Sequence, residues 1–204
     1  VCQAAPGGNV CVQGLNGCGA GPQQCFPVTV FAQPVANAGV DTALCGIGVN
    51  LAAVNSILGS TGVWTTLSGP GSAIFSNDSI ANSMVAVDSN GVYQFQWIES
   101  NGICSDLDTL QIAFNAAPLG GMKQITCDGT NQNYTITFPV TGGMAPYTIP
   151  GGSVMNGLFT SDPIPNGQAY SFSITDSNGC VSPAINGVFN CNCATNAGSM
   201  NLQT

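Results

Sequence analysis

The stretch YQFQWIESNGIC (93–104) returns, one residue shorter, as YSFSITDSNGC (170–180). In both copies large apolar residues alternate with polar ones: Tyr93, Phe95 and Trp97 in the first, Tyr170, Phe172 and Ile174 in the second. Period two with aromatic and β-branched residues on one side describes a half-buried β-strand. Each strand runs into an acidic-Ser-Asn-Gly turn and then a cysteine. Upstream, TALC (42–45) matches QITC (124–127). Each copy thus belongs to a unit with one cysteine near its first strand and another after its last turn. Gly, Pro, Asn and Ser punctuate the whole chain and no long helical pattern is present, so the reading is all-β, with small β-sandwich modules in tandem.

Two full units follow, at 35–118 and 119–192, divided at FNAAPLGG, where Pro118 and two glycines follow a strand. The remainders are 1–34 and 193–204. CFPVTVFAQP (25–34) is similar to DTLQIAFNAAP (108–118), the closing strand of a unit, so 1–34 reads as the end of a partial β module. TNAGSMNLQT repeats the opening ANAGVDTALC (36–45), so 193–204 reads as the opening strand of the next module. Were Thr204 followed by Val1, Cys2 would stand where Cys45 stands. The expectation is one period of a repeating array, in which Cys2, Asn196, Ala197, Gly198 and Thr204 mark the contact between copies. An opening strand without its module is an open sheet edge. Completing it head to tail is heterologous and propagates, through covalent continuity or through strand exchange between subunits.

The ten cysteines choose the chemistry that holds such units. The chain has no CxxC and no His, so disulfides in an oxidising compartment are favoured over metal thiolates. Matched positions in the two units suggest Cys45–Cys104 and Cys127–Cys180, spaced 59 and 53 residues apart. Each would stabilise its unit by about 4 kcal/mol on the chain-entropy account. Sequence alone does not pair Cys2, Cys11, Cys18, Cys25, Cys191 and Cys193.

Charge closes further doors. Only 5% of residues are charged, the net charge is -8, and Lys123 is the one cation. One lysine cannot neutralise phosphates, which excludes nucleic acid and attachment to anionic lipid. No apolar run approaches a membrane span. No signal peptide is visible at Val1, as expected of a processed chain or of a piece of a longer one.

TGGMAPY (141–147) followed by PNGQAYSFSITDSNGC (165–180) resembles the repeat of the flavobacterial gliding-motility adhesin. ANAGVDTALC (36–45), VWTTLSGPGSAIFS (63–76) and GVYQFQWIESNGIC (91–104) resemble the PKD-like and immunoglobulin-like modules of Bacteroidota surface proteins. The resemblance covers about three quarters of the chain. It implies a long extracellular adhesin or filament at the cell surface, exported by type IX secretion. It also implies O-glycans at Asp-Ser/Thr sites, here Thr42, Ser79 and Thr109 (in DTA, DSI and DTL), making the protein a glycoprotein. The sequons at Asn77 and Asn133 are weaker candidates.

No catalytic constellation is legible. Serine and cysteine nucleophiles usually need an activating base, and there is no His. Lys123 lies in a linker, and Asp106 and Asp108 share one side of a strand with no sign of a cleft between them. The chain therefore reads as non-enzymatic, with no cofactor required. The Ser-Asn-Gly turns at 88–91, 99–102 and 176–179 read as hairpin turns before calcium loops. Asp41, Asp106 and Asp108 are the weak calcium candidates that remain. Trp64, Trp97, Met84, Met144 and Met155 read as core or inter-module packing. The expected partners are further copies of the chain head to tail and surface glycans; the alternative is a secreted carbohydrate-binding accessory module.

Overall fold

The structure is a computed structural model and describes Cys2 and residues 7–191. The chain divides into two units, Val1–Phe114 and Asn115–Thr204, each with its own core. The described residues form strands and no helix.

In the first unit the strands are β1 (Gly8–Asn16), β2 (Gly19–Val28), β3 (Thr42–Cys45), β4 (Gly48–Asn50), β5 (Thr61–Ser68), β6 (Ala73–Phe75), β7 (Met84–Val87), β8 (Gly91–Asn101) and β9 (Cys104–Asn115). A four-stranded sheet, β3-β9-β8-β5, faces a three-stranded one, β4-β7-β6. The alternation on β8 works as the sequence indicates: Tyr93, Phe95 and Trp97 are fully buried. Trp97 lies opposite Trp64 of β5, ring centroids 5.2 Å apart. Trp64 satisfies its indole N–H on the Ala81 carbonyl at 3.1 Å. Leu110, Ile112 and Phe114 of β9 close the same core against Val85 and Val87 of β7. Removing such side chains from water contributes about 1.5–3 kcal/mol each.

In the second unit follow β10 (Leu119–Gly120), β11 (Gln124–Cys127), β12 (Asn133–Thr141), β13 (Gly152–Met155), β14 (Leu158–Ser161), β15 (Ile164–Pro165), β16 (Ala169–Phe172) and β17 (Ile185–Val188). β12 is central, pairing with β10 and β11 and also with β14 and β15. Every second residue of β12 (Tyr134, Ile136, Phe138 and Val140) is buried against Phe159, Phe172 and Ile174. Asn156 and Gly157, with φ of 50° and 76°, make the two-residue turn joining β13 to β14. Such tight hairpin turns require positive φ at both positions, and Asn-Gly supplies it.

The disulfide pairing differs from the one the repeats suggest. Cys104 is bonded to Cys2, and Cys127 to Cys191. Cys45 and Cys180 are also disulfide-bonded, so all four cysteines are bridged, but not as Cys45–Cys104 and Cys127–Cys180. The reason is strand direction. The carboxylates of Asp106 and Asp108 accept the amides of Ala36 and Ala38, and Asp41 accepts the amide of Gln111. The chain leading into β3 therefore climbs alongside β9 in the same sense. Cys45 ends about ten residues, or ~35 Å, along β9 from Cys104, whereas a disulfide spans a Cα separation of about 6 Å. In the second unit Cys127 sits opposite Tyr134, at one end of β12. Cys180 belongs to the turn that bonds Met144, beyond the other end.

Nor is the stretch 25–34 one closing strand. Among the described residues β2 pairs only with β1, in a two-stranded ribbon outside both sandwich sheets. Residues after it strap the β8–β9 turn: Asn101 donates to the Ala32 carbonyl and Gln33 to that of Ser105. Phe31 lies where a Cβ on Gly102 would stand, 2.3 Å from its ring. Met84, Met144 and Met155 are exposed and belong to neither core.

Candidate functional site

The acidic residue of each repeated turn holds a loop from earlier in its unit. Glu99 has the parity of Tyr93, Phe95 and Trp97, so its side chain points inward, and it is fully buried. Its carboxylate accepts the Ser56 amide at 2.9 and 3.0 Å, the Ile57 amide at 3.1 Å, and the hydroxyls of Ser56 at 3.0 Å and Ser60 at 2.6 Å. Burial alone raises a carboxyl pKa; here these hydrogen bonds, led by the Ser56 amide, outweigh burial and hold Glu99 below its ordinary value. The loop 55–60 is thereby fixed on a buried anion that has no cation beside it.

Asp176 occupies the matching place in the second copy and is also buried. Its carboxylate accepts the amides of Met144 at 2.9 Å, Asn178 at 3.0 Å and Cys180 at 2.8 Å. Burial raises its pKa, and the Met144, Cys180 and Asn178 amides together lower it further than burial raises it. Gly143 makes this possible: at φ 61°, a Cβ there would stand 2.7 Å from the Asp176 carboxylate. The GG of the TGGMAPY segment is explained by that approach. In the local sequence pattern both acids are turn residues. The signal that finds them is parity, since each continues the inward row of its strand.

Beside the Glu99-bound loop is a cleft of about 710 Å³, lined among others by Asn55, Ser60, Thr61, Ser79, Ser100 and Trp97. Its lining carries no charged residue. Thr61 and Ser100 face each other across β5 and β8, and neither hydroxyl has a hydrogen-bond partner among the described residues. The Trp97 indole N–H is the one buried side-chain donor without an acceptor among the described residues. Gly62 lies flat over that indole, where a Cβ would stand 1.9 Å from the ring.

The other candidate residues are distributed along the chain. Asp41, Asp106 and Asp108 each spend carboxylate oxygens on backbone amides along the edge of β9. Among the described residues no group of three or more potential ligands is placed to hold a metal ion. Thr42, Ser79 and Thr109 are exposed. Lys123 donates to the Tyr170 hydroxyl at 2.7 Å and to the Asn186 carbonyl. Cys2, read as a contact between copies, bridges to Cys104 in its own chain. Asn196, Ala197, Gly198 and Thr204 lie outside the described residues.

No protein family and no curated protein matches the chain. Among solved structures it is similar to the N-terminal eight immunoglobulin domains of Down syndrome cell adhesion molecule, at 11% identity and a TM-score of 0.55. That match covers 89% of this chain and 35% of the other, so the chain spans about a third of that fragment. A three-domain fragment of titin matches at 10% identity, over 90% of this chain and 74% of that one, with a TM-score of 0.47. The insect immune protein hemolin matches at 11% identity, over 83% and 52%, with a TM-score of 0.44. Together with the sheets described above, the first of these likenesses establishes the fold class: the chain is a tandem of small, disulfide-bonded immunoglobulin-like β-sandwich modules.

Proposed function

We propose that the chain is a structural repeat of an extracellular filament or long surface adhesin of the type IX-exported Bacteroidota kind, with copies following one another head to tail. The observation that carries this reading is the β1–β2 ribbon. Among the described residues its strands pair only with each other. Val10, Val12 and Phe26 share one face and are 57%, 58% and 60% exposed. An isolated two-stranded hairpin is marginal in water, and this one is stapled across its middle by Cys11–Cys25 rather than by a core. An apolar, uncharged ribbon with two open edges is suited to receive a strand from another chain. The segment 193–204, with Met200 and Leu202 at alternate positions, supplies such a strand from the preceding copy.

The test is hydrogen exchange on a single chain and on two copies joined Thr204 to Val1. The expected result is protection of 8–28 in the second copy and of 193–204 in the first, lost in Phe26→Lys. Mixing separate chains at high concentration gives the same protection if subunits exchange strands. Equal exchange in every sample overturns the proposal.

A further inference from the structure

The cleft beside the Glu99-bound loop is not accounted for by a role as a fibre module. We propose that it is a binding site for a neutral saccharide, so that the first unit carries an adhesive function of its own. At about 710 Å³ it has the size of a small-ligand site rather than of a packing defect. Its walls offer hydroxyl and amide groups with spare capacity. The Thr61 and Ser100 hydroxyls have no partner among the described residues, and the Asn55 amide donates to Ser60 while its oxygen accepts nothing. Groups of this kind, which donate and accept without charge, match the hydroxyls of a sugar ring.

Charge decides between ligand classes. The lining holds no cation to pair with an anionic polysaccharide, and the net charge of -8 repels one. It holds no carboxylate facing a cationic ligand either, since Glu99 is spent on Ser56, Ile57 and Ser60. A neutral polyol loses least on entering.

The wall is also fixed in advance. A buried carboxylate without a cation is costly unless fully hydrogen-bonded, and closing a short loop does not call for one. Here it locks 56–60 against β8 before any ligand arrives, and such preorganisation lowers the ordering cost of binding.

The experiment uses the full chain. Saturation-transfer NMR and calorimetry are run with neutral gluco-, manno- and galacto-oligosaccharides, and with polygalacturonate as the anionic control. The expected result is saturable binding of at least one neutral sugar, with a Kd of about 1 mM or tighter, and none of the polyanion. Thr61→Val with Ser100→Ala changes side chains on the cleft wall and leaves the core intact. In that variant the melting temperature stays within error and affinity falls at least about tenfold, a difference of 1.4 kcal/mol. No saturable binding of any neutral sugar, binding only of the polyanion, or affinity unchanged in the double variant each overturns the proposal. These outcomes are read on a single chain, so they are independent of head-to-tail assembly.

Discussion

At the scale of single residues, the acid of the repeated turn matters more than the turn. Glu99 and Asp176 sit at equivalent positions, and each organises a loop by accepting backbone amides. Glu99→Gln keeps the shape but loses the charge that strengthens four partners' hydrogen bonds. Hydrogen bonds to a charged group contribute about 1.5–3 kcal/mol, and a neutral amide retains part of that. The expected loss is about 2–3 kcal/mol of unfolding free energy, measured by denaturant titration at pH 7. The pH dependence follows from the lowered pKa. The folded carboxyl releases its proton more readily than the unfolded one, whose ordinary value is 4.5. Its contribution is therefore fully present above about pH 4.5 and is lost as pH falls through the lower folded value. Unfolding free energy measured between pH 3 and 7 falls on acidification in the native protein and falls less steeply in Glu99→Gln. Equal slopes would show that Glu99 does not carry the linkage.

At the scale of elements, strands were legible and their connections were not. Tyr93, Phe95, Trp97, Tyr170, Phe172 and Ile174 announce their strands by parity, and all are buried. Disulfide pairing depends on which end of a sandwich a cysteine occupies. That is set by the direction of β3 along β9 and by the reach of β12, which no local pattern encodes. A pair of cysteines can recur at matching places in two repeats and still lie at opposite ends of its sandwich, as Cys45 and Cys104 do. The cleft was equally hidden, because it joins the 55–60 loop to β5 and β8 through the inward turn of Glu99. Non-reducing peptide mapping is expected to recover Cys2 linked to Cys104 and Cys127 linked to Cys191; a Cys45–Cys104 peptide would restore the pairing drawn from the repeats. The ribbon β1–β2 makes a separate prediction. The Cys11–Cys25 bridge closes a loop of sequence separation 14, worth about 3 kcal/mol on the chain-entropy account, and it has no core to support it. Replacing both cysteines by serine is expected to raise amide exchange across 8–28 to the rate of a free peptide while leaving the Trp64 and Trp97 core protected. Loss of core protection as well would mean that the ribbon is part of the first unit's stability.

At the scale of the whole molecule, charge is sparse and almost all of it is negative. Its 204 residues hold one cation and nine acids, and the cation is engaged by Tyr170 and Asn186. Ser, Thr, Asn, Gln and Gly therefore supply most of the polar groups, while Val10, Val12, Phe26 and Met155 stand exposed. O-glycans would add solvation and cover strand edges without adding charge. Of the three sites implied by the resemblance, Thr42 opens β3, Thr109 faces outward from β9, and Ser79 precedes the exposed turn residue Ile80. All three are exposed, so a transferase acting on the folded chain would reach each of them. We expect native material to exceed the 20.6 kDa of the bare chain by whole hexose-containing increments per copy. Alkaline release should return it to the chain mass, and Thr42→Ala, Ser79→Ala and Thr109→Ala should each remove one increment. A native mass equal to that of the bare chain would show that these three residues carry no glycan.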